Sequence, residues 1–131
     1  MSITRTTLTL SNPVHRELTS LEVQALADTD AIHLIIPEHV ALQLQLAEQE
    51  KREVPLADGS RRLMPYIGPI EVHFGNRRCF VGAVVMGDEV LLGAIPMEDM
   101  DLVVRPMTRD VAVNPASPNV PSSLAKGYRN R

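Results

Sequence analysis

The sequence predicts an all-β barrel with one or two short helices. Three observations predict it. Short apolar segments rich in Leu, Ile, Val and Thr recur along the 131 residues. Turn signals separate them, among them Asn12-Pro13, Asp58-Gly59, Gly75-Asn76 and Gly87-Asp88. Only residues 37–47 and 95–100 read as helical, too little for an alternating β–α chain.

Each element follows from its residues. Residues 3–10 alternate Thr with apolar side chains and predict a strand, which Asn12-Pro13 ends. Residues 21–27 also alternate, then turn continuously apolar just before Asp28. Residues 28–31 predict a turn, and residues 32–36 a short buried strand. Pro37 suits the first turn of a helix, where its missing N–H costs nothing. Glu38 lies where the helix dipole favours an anion. Val40, Ala41, Leu44 and Ala47 share one face at helical spacing. Residues 53–64 predict a hairpin centred on Asp58-Gly59, with both central residues at positive φ. Strands are expected over 67–74, 79–86, 90–93, 102–104 and 111–113. From Asn114 the chain becomes rich in Pro, Ser and Asn without periodicity. The expected organisation is therefore one domain over residues 1–113 and an extended or disordered tail over 114–131.

Composition bounds the function. The hydrophobic fraction of 44% allows one core. With two Phe, two Tyr and no Trp, that core must be aliphatic, and the scattered Met residues are expected to help fill it. The net charge of −3 and the few aromatics argue against nucleic acid as a partner. Arg61-Arg62 and Arg77-Arg78 read as solvated hairpin tips. Cys79 is the only cysteine and lies in an apolar run, which predicts a buried, inert thiol. No apolar run is long enough to span a membrane, and the N-terminal residues alternate rather than form a leader. A cytoplasmic protein, with no membrane partner, is the expectation.

The residues that carry chemistry centre on Asp28. Ala25-Leu26-Ala27-Asp28-Thr29-Asp30-Ala31, followed by Ile36-Pro37, comes first in the chain. The Asp58-Gly59 hairpin follows, and then Val90-Leu91-Leu92-Gly93. In that order the three features resemble the retropepsin-like, bacterial clan AA aspartic peptidases. There an apolar strand leads into Asp-Thr-Gly-Ala, a hairpin forms a flap, and a late apolar-apolar-Gly strand supports the catalytic loop. Leu56-Ala57-Asp58-Gly59-Ser60 and residues 93–100 resemble the same family. The resemblance spans about residues 8–113.

It implies a retropepsin-like acid-protease barrel acting as a homodimer on a peptide or protein substrate, without metal or cofactor. Asp28 would be the catalytic carboxylate. Thr29, Asp30 and Ala31 would complete its loop, Leu91, Leu92 and Gly93 would pack beneath it, and Ala57, Asp58 and Gly59 would form the flap. Hydrolysis of this kind needs two carboxylates sharing one proton. One chain has a single acidic turn, so two chains would have to meet at a two-fold axis.

Position 30 departs from the family pattern, which has Gly there. At ~6 Å from the dyad and an effective dielectric of ~20, the Asp30 charge would repel it by roughly 3 kcal/mol. That is enough to impair water activation near neutral pH. The rival function is a non-catalytic dimeric peptide-binding module on the same fold. Taken alone, Asp28 reads as a turn-capping residue. The Asp28/Asp30 pair is also a weak candidate for Mg²⁺, and His33/His39 a weak one for zinc. Glu98, Asp99 and Asp101 read as a solvated helix face.

Overall fold

The computed structural model describes residues 3–125. Its strands are β1 Thr4–Ser11, β2 Leu21–Ala27, β3 Leu34–Ile36, β4 Glu48–Pro55, β5 Arg61–Phe74, β6 Arg77–Val85, β7 Val90–Leu92, β8 Leu102–Arg105 and β9 Asp110–Val113. The helices are α1 Glu38–Gln43 and α2 Ala94–Asp99. Strands β1-β2-β7-β3-β6-β5 close into a six-stranded barrel through pairing of β5 with β1. Strand β4 extends the sheet from β5, and β8-β9 form a separate two-stranded sheet.

Alternation sets the barrel's inside. On β1, Leu8 and Leu10 are buried while Arg5 and Thr7 face out. The inward residues of all six strands meet in one aliphatic core with Leu44, Met97 and Met100. Phe80 stays half exposed on the outside, while Phe74 packs against the core. Met97 and Met100 fill the core as expected, whereas Met107 is 95% exposed. Among the described residues, no helix is long and apolar enough to cross a membrane.

Several boundaries differ from the sequence reading. Helix α1 ends at Gln43, short of Ala47, because the chain must turn back to begin β4 at Glu48. Strand β5 runs unbroken from Arg61 through Phe74, merging two expected strands. Pro69 has no amide hydrogen to give, and the ladder to β6 lapses between Ile67 and Ile70. The Gly75-Asn76 turn needs positive φ only at its first position, where Gly75 supplies it (+56°).

Among the described residues, the tail from Asn114 has no strand or helix, and its first part is anchored. Asp101 accepts hydrogen bonds from Asn114 Nδ2 (3.0 Å), the Ser122 amide (2.9 Å) and the Ser117 hydroxyl. The Ser117, Asn114 and Ser122 donors hold its carboxyl down to about 2. Asp101 is thus a strap anchor and not part of a solvated helix face. Arg77 is likewise buried and donates to the Ser117 carbonyl, correcting its expected place at a solvated tip. The last residues of the tail lie outside the described residues.

The seam that closes the barrel carries a buried acid. Thr9–Ser11 of β1 pair with Glu71–His73 of β5, and Glu71 is only 2% exposed. Arg16 lies 3.0 Å from its Oε1, Arg78 lies 3.9 Å from Oε2, and His73 hydrogen-bonds to Oε2. Burial pushes the Glu71 carboxyl up. The His73 and Arg16 hydrogen bonds and charges outweigh that and leave it below its ordinary 4.5. A depressed carboxylate stabilises the fold fully above its unfolded value and loses that contribution as pH falls through the folded one. Glu71→Gln should therefore lower the melting temperature by several degrees at pH 7. The gap to the parent should close as pH falls below 4.5 and through the lowered folded value. A gap that stays constant with pH would assign the effect to shape rather than charge.

Candidate active site

The site begins where β2 runs out. Strand β2 pairs in parallel with β7, Ala25↔Val90 to Ala27↔Leu92. The Asp28 amide extends that ladder by donating to the Leu92 carbonyl (3.0 Å). Strand β3 pairs with the other side of β7, antiparallel, through Ile35↔Leu91. So β7 lies between β2 and β3, and the connection over residues 28–33 must cross its C-terminal end. That crossing holds the acidic turn at the barrel's edge.

The crossing segment is tightly bonded. The Ala31 amide donates to the Asp28 carbonyl (3.1 Å), closing the turn. The Asp30 amide donates to Asp28 Oδ1 (2.9 Å), which orients the carboxylate. From the far side, the Ala94 and Ile95 amides donate to the Ala31 and Ile32 carbonyls (2.8 and 2.9 Å). The capping reading of Asp28 is thus correct for one oxygen, and the other makes no bond within the loop.

Gly93 forms the floor. A Cβ there would lie 2.2 Å from the His33 carbonyl oxygen and 2.8 Å from the Ile32 carbonyl. Its φ of −86° suits any residue, so the requirement is space alone. Both obstacles are backbone atoms and cannot swing away. Gly93→Ala should cost about 1–3 kcal/mol by overpacking, read as an earlier urea midpoint with unchanged slope. An unshifted midpoint would mean that residues 28–33 lift off β7 freely. Leu92, fully buried beside Gly93, packs into the core, while Leu91 is only half buried.

Asp28 is partly buried, and Thr29 and Asp30 are exposed. All three line an open cleft of about 470 Å³. Its apolar wall comes from Leu26, Leu91, Ile3, Val104 and Pro106. The last three were missed by sequence reasoning. Packing of the β8-β9 hairpin and the start of the chain brings them in, and no local pattern marks them. Asp30 does not have positive φ, so position 30 makes no left-handed demand that only Gly meets.

The expected flap is the tip of the β4-β5 hairpin. Only Gly59 has positive φ there (+87°), not both central residues, because the loop has five residues, 56–60. The Leu56 amide donates to the Ser60 carbonyl (2.8 Å), and Asp58 Oδ1 accepts from the Ser60 amide (2.9 Å) and hydroxyl (2.5 Å). Ala57, Asp58 and Gly59 are exposed and are not among the residues that line the Asp28 cleft.

Cys79 is buried, and burial, with a smaller push from Asp99, raises its thiol to about 12. That is an inert thiol, as its apolar run implies. Among the described residues, no group of three or more His, Cys, Asp or Glu is placed to hold a metal. A larger groove of about 770 Å³ lies away from the acidic turn, between α2, Phe80 and residues 122–124. Of its carboxylates, Asp101 is already committed to Asn114, Ser117 and Ser122. Comparison with protein-family models and with curated proteins returns no match for this chain.

Proposed function

We propose that two copies of this chain form a retropepsin-like aspartic endopeptidase, with the Asp28 carboxylates meeting at the two-fold axis. One observation carries the reading. The turn at Asp28 orients one carboxylate oxygen, is stitched to β7 and α2, and opens into an apolar cleft. A rigid, half-exposed acid on a barrel edge is what a shared dyad requires of each half. In the dyad, the charged carboxylate activates water. The protonated one polarises the scissile carbonyl and then protonates the departing amine. Thr29 stands exposed beside it, available to a symmetry-related loop. The buried single cysteine accords with a cytoplasmic setting.

Asp30 supports a second reading, a non-catalytic dimeric peptide-binding module on the same fold. It lines the same cleft, so a dimer would gather four carboxylates rather than two. Cleavage of an unfolded protein from about pH 3 to pH 7, with and without pepstatin, separates the two. Sedimentation velocity tests the dimer independently. Pepstatin-sensitive cleavage by a dimeric species is the expected result. A chain that stays monomeric at all working concentrations sinks both readings.

A further inference from the structure

A row of three side chains joins the β4-β5 hairpin to the acidic crossing segment. Tyr66 on β5 stands opposite Glu50 of β4 and Val84 of β6. Its ring lies across Gly82 of β6, where a Cβ would come within 2.2 Å of both Cζ and the hydroxyl oxygen. With that path clear, the ring reaches His33 edge-on, with centroids 5.7 Å apart and planes at 65°. The Arg52 guanidinium of β4 sits 4.0 Å from the Tyr66 ring centroid. Glu50 steers it, with Oε2 2.5 Å from Arg52 Nε. At the other end, the His33 carbonyl oxygen occupies the space that a Cβ at position 93 would take. Burial first, and the Arg52 charge second, lower the His33 imidazole from its ordinary value, which favours the neutral ring. A neutral imidazole meets the tyrosine without setting a second cation against Arg52.

We infer that Arg52, Tyr66 and His33 form a strut that fixes the β4-β5 hairpin relative to the loop bearing Asp28, with Tyr66 as the positioning residue. Its consequence for substrate rests on the peptidase reading; the mechanical coupling does not. Cation–π and edge-to-face contacts are each worth little; the first braces β4 on β5 within their ladder, and the second crosses β6 to the segment before β3, which does not pair with β5 directly. Gly82 and Gly93 have one purpose in this row, the room for close approach.

Backbone hydrogen exchange on the full chain tests the coupling. His33→Ala lies outside the hairpin, yet it should speed exchange of the amides at 50–54 about two- to tenfold. His33→Phe, which keeps a ring edge, should restore protection. Tyr66→Ala should loosen both 50–54 and 28–33, whereas Tyr66→Phe should not. Unchanged exchange at 50–54 in His33→Ala overturns the strut. In a cleavage assay, His33→Ala should raise KM several-fold with little change in kcat. An unmoved KM in a cleaving enzyme overturns the functional half. A parent that cleaves nothing ends the peptidase reading, and exchange alone then decides the strut.

Discussion

Asp28→Asn is expected to lower peptide cleavage about 10²- to 10⁴-fold while leaving the fold as stable as before. The amide is nearly isosteric with the carboxylate, and its oxygen can still accept the Asp30 N–H at the place Oδ1 now occupies (2.9 Å). What would be lost from the proposed dyad is the ionisable carboxyl, which in its charged form activates water and in its protonated form polarises the carbonyl. The melting curve should therefore overlay the parent's, so a fall in rate cannot be assigned to unfolding. A mixing experiment probes the shared site directly. If subunits exchange, an equimolar mixture of parent and Asp28→Asn chains should retain about a quarter of the activity, the share of dimers with two intact halves. A catalyst complete in one chain would retain about half. Equal cleavage by the variant and the parent rules out Asp28 as the catalyst.

Asp30→Gly is expected to raise the cleavage rate near neutral pH. Repulsion of roughly 3 kcal/mol at ~6 Å and an effective dielectric of ~20 sets the upper limit, about 100-fold. The bond that orients Asp28 comes from the Asp30 backbone amide, so glycine keeps it. The gain should shrink in strong acid, where carboxylates are neutral and the repulsion is gone. Asp30→Asn divides the two explanations. It removes the charge and keeps the bulk, so a gain equal to that of glycine assigns the impairment to electrostatics. A gain with glycine alone assigns it to space in the cleft, through which a substrate backbone must pass. No gain from either shows that Asp30 points its charge harmlessly to solvent.

The two variants ask different things of one loop. Asp28→Asn tests whether the oriented acid does chemistry, and Asp30→Gly tests whether its neighbour restrains it. Gly93→Ala and the Arg52–Tyr66–His33 variants test the frame beneath and beside that loop. A pattern in which the frame variants alter stability or exchange while Asp28→Asn alters nothing favours the binding module.

The sequence by itself determined the mostly β class, the order of the strands and the acidic turn. Alternation at Leu8 and Leu10, the apolar run into Asp28 and the Gly-containing turns are local signals, because strand periodicity and positive φ are local properties. Residues 21–27 and the short strand at 90–92 were legible for that reason. Tertiary structure alone decided what surrounds the turn. That β7 lies between β2 and β3 depends on pairings between segments far apart in the chain. Hence the reason for Gly93, the arrival of Ile3, Val104 and Pro106 at the cleft, and the path of Tyr66 across Gly82 had no local trace. The same holds for buried charge. Arg77 and Asp101 read as solvated residues because charged side chains usually are. Only the return of residues 114–122 over the β5-β6 turn shows what they hold.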